Sequence, residues 1–437
     1  MIHIPSDEIK QPNLHADTLG FTFVWRGHFL RGIYPESVNQ AKSYFECGFI
    51  DDVVSKGLFP KTWISEFENE QFGMIIEHEM ISPVLYATEW NFSMLKAAAL
   101  MVLDIAQIGW KYGYNMVDCH KLNVMFKGLK PIYVDLGSFV PREDGCTGWH
   151  PYMNFMTSYY YILDIWKDGA SQIAKRMMAP GVSMQAKDYY LYKSKLYRLF
   201  PFLITQRIQL ITALGYFASK PVEKIVIKAG VPLDSLKAKS IRCFHWLVRK
   251  SKISPSQNLE RIRRKVKSIS MYVPACKDYK SIDLSDIKRA IGTLGELKSI
   301  SFIDSPIKKV IELSEGIDRV ISIQQQPIVS DAEYRYLCSV GTTHITPSCF
   351  FIGNGAILIR GKYPEDRLSS DVAIVIGYQI PSGPFGLHNA MVFFNRCKRF
   401  SNSGHLIVNI PYCKEDVKIE LVKSYFNDVV GDTFIYW

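Results

Sequence analysis

The chain has 437 residues and a net charge of +10; 48% of its residues are hydrophobic and 22% are charged. This composition excludes a wholly disordered protein and allows a substantial hydrophobic core. The length exceeds what one core usually serves, so we expect two domains with connecting structure.

The first 90 residues predict a β-rich region with one helical stretch. Residues 21–33 are rich in β-branched and aromatic side chains, which predicts two short strands. Apolar residues recur at helical spacing over 37–56, where Gly48 is a weak point. Further short strands are expected at 63–67 and 73–79.

A long amphipathic helix precedes the stretch that carries the chemical motif. Residues 92–110 place apolar side chains at the helical period with a wide buried face. Residues 114–139 follow, in which 124–126 and 132–134 are expected to be strands joined by a glycine turn. A helix, a polar loop and a hairpin follow one another in this order in the lower lobe of protein kinases.

Three polar residues in that stretch give the strongest chemical signal. Asp118 and Asn123 are five positions apart, the offset of the Asp and Asn in the catalytic loop of protein kinases, and Asp135 begins Asp-Leu-Gly where Asp-Phe-Gly would follow. Asn123 and Asp135 offer oxygen ligands suited to Mg²⁺, and Asp118 could take or orient the proton of an acceptor hydroxyl. The alternative is that all three are turn and capping residues.

Two other kinase signals are missing from the early strands. No G-x-G-x-x-G precedes the first helix, and no V-A-I-K lysine is present. Arg31, in a predicted strand, and Glu46, in the predicted helix, could replace the usual lysine–glutamate pair of an ATP site, although the arginine fork changes the donor geometry. The alternative is an ordinary ion pair at the surface.

The remaining chain divides into a helical region, a basic segment and an alternating region. Residues 149–217 are aromatic-rich and helical in pattern, and 218–268 form a basic helical connector with 14 Lys or Arg against three acids between Lys220 and Lys267. Beyond it strands and helices alternate, which predicts an α/β sheet. The predicted strands are 308–313, 319–323, a hairpin over 350–360, 371–376, 405–410 and 433–436, and the predicted helices are 330–338, 387–399 and 416–426.

Residues 21–161 resemble a family of two-part bacterial proteins, in which a kinase-like N-terminal region precedes a class I S-adenosylmethionine-dependent methyltransferase domain. The resemblance rests on the segments 89–95, 117–126, 130–139 and 149–152. It implies a kinase-like α+β N-terminal fold that uses ATP and Mg²⁺, with Asn123 and Asp135 on the metal and Asp118 as the catalytic residue. It also implies a Rossmann-like, methyltransferase-type α/β fold in the C-terminal part.

The C-terminal half of the resemblance implies a site for S-adenosylmethionine. Four segments look like the first, second, fourth and fifth strands of the methyltransferase fold: 310–316, 319–327, 371–379 and 405–412. The residues that the resemblance places at the cofactor are Glu312, Gly316, Gln324 and Asp371.

Two departures from the family pattern predict a degenerate methyl-donor site. The second strand ends at neutral Gln324, where a carboxylate would hold the ribose hydroxyls by charge-assisted hydrogen bonds. Only 12 positions separate Glu312 from Gln324. A parallel crossover needs a dozen or more residues, so we expect its helix to be shortened or lost. For Asp371 the alternative is a plain buried strand end.

The sequence therefore predicts a kinase-like domain over 1–217, a basic connector over 218–268 and a degenerate methyltransferase-like domain over 269–437. As the function we expect a phosphotransferase core that uses ATP and Mg²⁺ on a small-molecule or glycan acceptor. One alternative is an S-adenosylmethionine-dependent methyltransferase, which could modify a surface glycan. The other is a catalytically inactive scaffold that pairs with an active partner.

Three features of the sequence limit the expected location and partners of the protein: the cysteines, the apolar stretches and the basic connector. Nine scattered cysteines form no C-x-x-C pair, so reduced thiols are expected rather than disulfides or a zinc site. We find no secretory signal, and the most apolar windows, 94–110 and 372–387, fall short of a membrane span, which indicates a cytoplasmic protein. The connector has few aromatics and no nucleic-acid module, so a solvated face is expected; contact with an anionic membrane surface or glycan is the alternative.

Overall fold

The structure is a computed structural model that describes residues 2–10, 17–142, 149, 151–193, 255–276, 282–349, 367–382, 385–411 and 413–437. The predicted hairpin at 350–360 and the connector up to residue 254 lie outside the described residues. The N-terminal part contains an antiparallel sheet and helices, and the C-terminal part contains a mostly parallel sheet.

The N-terminal part begins with an antiparallel sheet. The sheet has four strands, β2 (Gly20–Trp25), β3 (His28–Ile33), β4 (Thr62–Ile64) and β6 (Met74–His78), in the order β2-β3-β6-β4. Two further strands, β1 (Ile2–His3) and β5 (Phe67–Glu68), form a separate parallel pair. Phe21 and Phe23, on one face of β2, pack against Phe72. The predicted β-rich region is present.

Two short helices, α1 (Val38–Glu46) and α2 (Phe49–Ser55), follow β3. They are separated at Gly48, whose φ of +80° is a conformation that glycine adopts at little cost. The helix predicted over 37–56 is therefore interrupted at its predicted weak point. Glu46 is the last residue of α1 and is exposed.

The longest helix, α3 (Phe92–Lys111), lies in the core of the N-terminal part. Asn91 caps its N-terminus, because the Asn91 side chain accepts a hydrogen bond from Met94 N at 2.9 Å. Among the described residues, α3 is the one helix long and apolar enough to span a membrane by length and composition, but 67% of its apolar window is buried inside the protein. This burial is that of a core helix.

Two short strand pairs follow α3 and contact it. They comprise β7 (Tyr114–Met116), β8 (Val124–Lys127), β9 (Lys130–Tyr133) and β10 (Phe139–Pro141). β7 pairs with β10, and β8 forms the predicted hairpin with β9. Gly128, at a φ of +58°, turns the chain between the hairpin strands.

Further helices complete the N-terminal part: α4 (Tyr152–Phe155), α5 (Tyr161–Lys167), α6 (Ser171–Met177), α7 (Ala186–Lys193) and α8 (Pro255–Ser268). Helix α8, at the end of the basic connector, packs on α3 through buried Ile262 and Val266. On the same side, Arg263 donates hydrogen bonds to Asp104 and to Gln107 of α3. This end of the connector is thus packed rather than solvated on one face.

The C-terminal part is a Rossmann-like α/β domain. Its strands are β11 (Ser299–Ile303), β12 (Arg319–Gln324), β13 (Ile345–Cys349), β14 (Val372–Val375), β15 (Leu406–Asn409), β16 (Asp428–Val430) and β17 (Thr433–Tyr436). Their order is β13-β12-β11-β14-β15-β17-β16, and β17 runs antiparallel to both its neighbours. The helices are α9 (Ser285–Thr293), α10 (Ile307–Leu313), α11 (Pro327–Val340), α12 (Gly386–Cys397) and α13 (Glu415–Ser424).

The segment predicted as the strand 308–313 is helix α10. Ile307, Val310 and Leu313 are its buried residues, which is helical spacing, and a short apolar run does not distinguish the two structures. The first strand of the sheet is instead β11, and α10 connects it to β12. Of the two predicted outcomes, a shortened or a lost crossover helix, the helix is present and has seven residues.

The two parts meet where α11 lies against the N-terminal end of α3. Asp331 accepts a hydrogen bond from Ser93 N at 2.6 Å, and Asn91 Nδ2 donates to Ser330 O at 3.0 Å. Beside them, Arg367 Nη2 lies 2.5 Å from Glu89 Oε1. Both partners of this ion pair are buried; burial raises the pKa of Glu89, and the charge of Arg367 opposes that rise.

Replacement of Arg367 by Met should lower the free energy of unfolding by about 3–5 kcal/mol, because it leaves the Glu89 carboxylate buried without its cation. Urea denaturation of the full chain measures this loss. The double variant Glu89→Gln/Arg367→Met should recover most of it, since no buried charge then remains. A loss below about 1 kcal/mol in the single variant would show that this pair behaves like an exposed one.

Candidate functional site

The loop between β7 and β8 carries Asp118 and is held by the hairpin that follows it. The Tyr133 hydroxyl of β9 donates a hydrogen bond to the Asp118 carbonyl oxygen at 2.8 Å. Asn123 N donates to the carbonyl oxygen of His120 at 3.0 Å, in the short turn that leads into β8. The backbone of the loop is therefore fixed before any ligand is considered.

Both carboxylate oxygens of Asp118 have partners. Oδ2 lies 2.9 Å from His120 Nε2, and Oδ1 accepts a hydrogen bond from Asn154 Nδ2 at 3.2 Å. Burial alone would raise the pKa of Asp118, but the hydrogen bond and charge of His120 lower it below its ordinary value. Burial alone would lower the pKa of His120, but Asp118 raises it above its ordinary value. The pair is an ionised carboxylate beside a readily protonated imidazole.

Asn123 lies between the two aspartates of the motif. Its Nδ2 is 3.5 Å from Asp118 Oδ2 and 3.2 Å from Asp135 Oδ2. Asp135 caps the short turn Leu136–Ser138 by accepting a hydrogen bond from Gly137 N at 3.2 Å. The structure thus brings together all three residues that the spacing singled out, on a partly exposed surface.

Arg31 reaches this cluster, but not with the partner predicted from the sequence. Its Nη2 lies 3.5 Å from Asp135 Oδ1, and its Nη1 forms an ion pair with Asp17. Glu46 is exposed at the end of α1, so the proposed Arg31–Glu46 pair is corrected to a bridge from Asp17 through Arg31 to Asp135. Asp17 was not predicted, because it precedes β2 and approaches Arg31 only when the sheet forms.

The side chains of this cluster suit a metal ion that is also coordinated by a bound phosphate ligand. Within the described part of the chain, no three His, Cys, Asp or Glu side chains converge in a metal-binding group. Asp118 and Asp135 instead offer two carboxylates. The Asn123 amide directs its Nδ2 to both of them, so it would offer its oxygen to a metal only after turning over. Mg²⁺ commonly takes one or two carboxylates together with phosphate oxygens and water. The residues therefore fit a magnesium–phosphate complex better than a bare ion.

A second candidate site lies at the carboxyl edge of the C-terminal sheet. The strand order reverses between β11 and β14, and open α/β sheets bind ligands beyond the carboxyl ends at such a switch point. The loop Asp304-Ser305-Pro306 follows β11 there. Ser305 is fully buried, and its hydroxyl accepts a hydrogen bond from Ile376 N at 2.9 Å, which joins the ends of β11 and β14.

Two acids lie beside this crevice: Asp304 is half-buried and Glu333 is buried. Asp304 accepts a hydrogen bond from Gln325 N, and Glu333 of α11 accepts one from Gln324 Nε2, both at 2.9 Å. Burial raises the pKa of Asp304; burial, with the charge of Asp304, raises the pKa of Glu333 well above its ordinary value. These side-chain partners are neutral amides, so a positively charged ligand would stabilise both carboxylates.

Of the predicted cofactor residues, Gln324 alone lies at this edge. Glu312 is in α10, where it pairs with Lys309, and Gly316 follows that helix. Asp371 precedes β14 at the opposite, amino edge, and accepts hydrogen bonds from the backbone of residues 298 and 299. The placement of all three residues at the cofactor is corrected. For Glu312 and Gly316 it assumed a strand where α10 lies, and Asp371 stands just before the start of its strand rather than at the carboxyl end.

The residues at the carboxyl edge fit part of S-adenosylmethionine. Asp304 and Glu333 suit its positive charge, and the amides of Gln324 and Gln325 could hydrogen-bond ribose hydroxyls, more weakly than a carboxylate would. The loop after β11 differs from the implied pattern, because no glycine stands between Asp304 and the start of α10. The close backbone approach that glycine permits is missing there.

Asp304 and Glu333 were not predicted from the sequence, for different reasons. The alternation of polar and apolar residues in Ser299–Ile303 is a signal for a strand, and it would have placed Asp304 at the strand's end. Glu333 carries no such signal, because an acid in a predicted helix is usually exposed.

No protein-family model matches the chain. A segment of 85 residues is 31% identical to the nodulation protein NoeA of Rhizobium meliloti (strain 1021), and it covers 20% of this chain and 18% of that protein. The chain is similar to an rRNA methylase from Escherichia coli (12% identity, 56% of this chain and 95% of the other, TM-score 0.25). It is also similar to an rRNA methylase from Streptococcus thermophilus (14% identity, 35% and 96%, TM-score 0.25). These likenesses assign no activity to the chain.

The His120 imidazole should titrate above its ordinary pKa of 6.5, and Asp118→Asn should lower that pKa, because the partner charge disappears while burial remains. Nuclear magnetic resonance of the imidazole across pH 5–9 measures both values. Asp135→Asn should shift the pKa less, since Asp135 acts by charge alone. The stabilisation from the pair is complete below the ordinary pKa and is lost as pH rises through the raised one. An unchanged pKa in Asp118→Asn contradicts the pairing.

Proposed function

We propose that this protein is a transferase, and that S-adenosylmethionine-dependent methyl transfer is the activity its fold supports best. The observation that carries this proposal is the order of the C-terminal strands, with the antiparallel β17 inserted between β15 and β16. The resemblance to class I methyltransferases implies a Rossmann-like α/β fold for this part, and the mostly parallel sheet with helices agrees with it.

The carboxyl edge at β11, β12 and β14 is the proposed binding site. S-adenosylmethionine would supply an activated methyl group there. Asp304 and Glu333 would face its positive charge, and Gln324 and Gln325 would bind its hydroxyls. The glycine-free loop after β11 favours weaker binding than a complete site would give. The methyl acceptor is proposed to be a small molecule or a glycan.

Titration of the full chain with S-adenosylmethionine should raise its melting temperature, because a ligand at 100 times its Kd stabilises the folded state by about 2.7 kcal/mol. Asp304→Asn should weaken binding about tenfold or more, through loss of the carboxylate charge. Asparagine tolerates the left-handed φ of +47° at this position, so the variant should fold.

Glu312→Gln is the matched control, because Glu312 lies in α10 and pairs with Lys309. It should leave the affinity for S-adenosylmethionine unchanged. Loss of binding in Glu312→Gln but not in Asp304→Asn would show that the S-adenosylmethionine site lies at Glu312, as predicted from the sequence. Absence of binding by the wild-type chain would remove methyl transfer as the activity.

Phosphoryl transfer with ATP and Mg²⁺ is the second candidate, and one observation favours it: Asp118, Asn123 and Asp135 converge within 3.2–3.5 Å. In this proposal Asn123 and Asp135 hold Mg²⁺, and Asp118 orients or deprotonates an acceptor hydroxyl. The N-terminal sheet, core helix, polar loop and hairpin follow the order of a kinase-like domain. The comparisons with known proteins add no support to this candidate.

Binding of ATP should depend on Mg²⁺ if the second candidate is correct, and Asp135→Asn should weaken it about tenfold or more, since a metal-facing charge is lost. Isothermal titration with and without Mg²⁺ measures the effect. Asp51→Asn, an exposed position in α2, is the control and should bind as the wild type does. Equal affinity in the two variants would exclude the metal role of Asp135. Absence of binding for both ATP and S-adenosylmethionine would favour a scaffold without activity.

A further inference from the structure

Asp17 lies against the Asp118–Asn123–Asp135 cluster at a position that no motif predicted. It lies three residues before β2, and its Oδ1 accepts a hydrogen bond from Leu19 N at 2.9 Å. Its other carboxylate oxygen accepts a hydrogen bond from Arg31 Nη1. The carboxylate is thus fixed at both oxygens, one by the backbone and one by the arginine.

Arg31 is the cation that this carboxylate engages. The residue is 5% exposed, and its Nε is buried with no hydrogen-bond partner among the described atoms. Its second terminal nitrogen lies 3.5 Å from Asp135 Oδ1, at the outer limit of a hydrogen bond. A buried guanidinium with an unused donor retains capacity for a further acceptor, and its planar fork suits the oxygens of a phosphate.

The Asp17 carboxylate also lies directly over the turn that contains Asp135. A Cβ added to Gly137 would be 2.3 Å from Asp17 Oδ1 and 2.4 Å from Oδ2, closer than any real contact. Glycine at 137 therefore leaves the room in which this carboxylate sits. The space between Arg31 and the Asp135–Gly137 backbone is filled by an anion that belongs to the chain itself.

We propose that Asp17 is an internal anion at a polyphosphate-binding position, and that a phosphate-bearing ligand engages Arg31 only after displacing it. The proposal rests on the second candidate function for the choice of ligand. An entering phosphate would otherwise meet the charges of Asp17, Asp118 and Asp135 with Arg31 already engaged. The apparent affinity for the phosphate ligand equals the intrinsic affinity multiplied by the fraction of molecules in which Arg31 is free of Asp17.

Asp17→Asn should therefore tighten binding of magnesium tripolyphosphate and of magnesium ATP by about tenfold, because the competitor loses its charge. Isothermal titration of the full chain with each probe measures the change. Asp7→Asn, an exposed acid in the same N-terminal segment, is the matched control and should not alter affinity. The double variant Asp17→Asn/Arg31→Gln should lose the gain, because the gain acts through Arg31.

Gly137→Ala tests whether the room over residue 137 is the position of the anion. Its methyl group would fill the room in which the Asp17 carboxylate lies, without changing any charge, and a phosphate needs the same room, so this variant should not tighten tripolyphosphate binding. Asp17→Ser is the second variant that should tighten it, because it removes the carboxylate and keeps a hydroxyl that can accept the hydrogen bond from Leu19 N. Together the two Asp17 variants keep the test valid if Asp17→Asn alone is poorly folded, which its melting curve would show.

The outcomes separate this proposal from phosphoryl transfer. Tighter tripolyphosphate binding in both Asp17 variants, with no transfer of phosphate from ATP, supports the anion position and rejects the enzyme activity. Transfer by the wild type, with affinities unchanged in both variants, supports the activity and overturns the role of Asp17. Failure of both variants to bind either probe overturns the role of Asp17 as well.

Discussion

The N-terminal end of α3 is the contact on which the arrangement of the whole chain depends. A helix leaves its first backbone N–H groups without partners inside the helix. Here one of them, at Ser93, is satisfied by Asp331 of the C-terminal part, while Asn91 caps Met94 and also reaches Ser330. Because α3 contacts both β7 and β9, the same buried polar contact fixes the Asp118 loop relative to the C-terminal sheet.

Helix α11 lies between the two candidate sites. Its residue Glu333 accepts a hydrogen bond at the carboxyl edge, and the next residue, Tyr334, donates from its hydroxyl to Leu129 O in the β8–β9 turn at 2.9 Å. That turn joins β8 and β9. Asn123 immediately precedes β8, and Asp135 follows β9. The sites are therefore built on a common rigid support, although they differ in charge: one exposes carboxylates beside Arg31, and the other buries carboxylates beside amides.

Features that depend on the local spacing of residues were predicted correctly from the sequence. Features that depend on contacts between residues distant in sequence were not. The strands at 21–33, helix α3 and the β8–β9 hairpin follow from periodicity and turn chemistry, and Asp118, Asn123 and Asp135 were found by their offsets. The segment 308–313 was assigned as a strand because a short apolar run fits both periods. Neither the Asp17–Arg31 contact nor the place of Glu333 at the carboxyl edge could be predicted, since each requires elements remote in sequence to approach.

Because α8 packs on α3, the C-terminal end of the basic connector belongs to the N-terminal part. Helix α7 packs on α5, α8 packs on α3, and α5 contacts α3, so the chain leaves one helical body after residue 193 and returns to the same body at 255. The helices on both sides of residues 194–254 therefore belong to the N-terminal part. The boundary between the two parts then falls after α8, not within the basic segment.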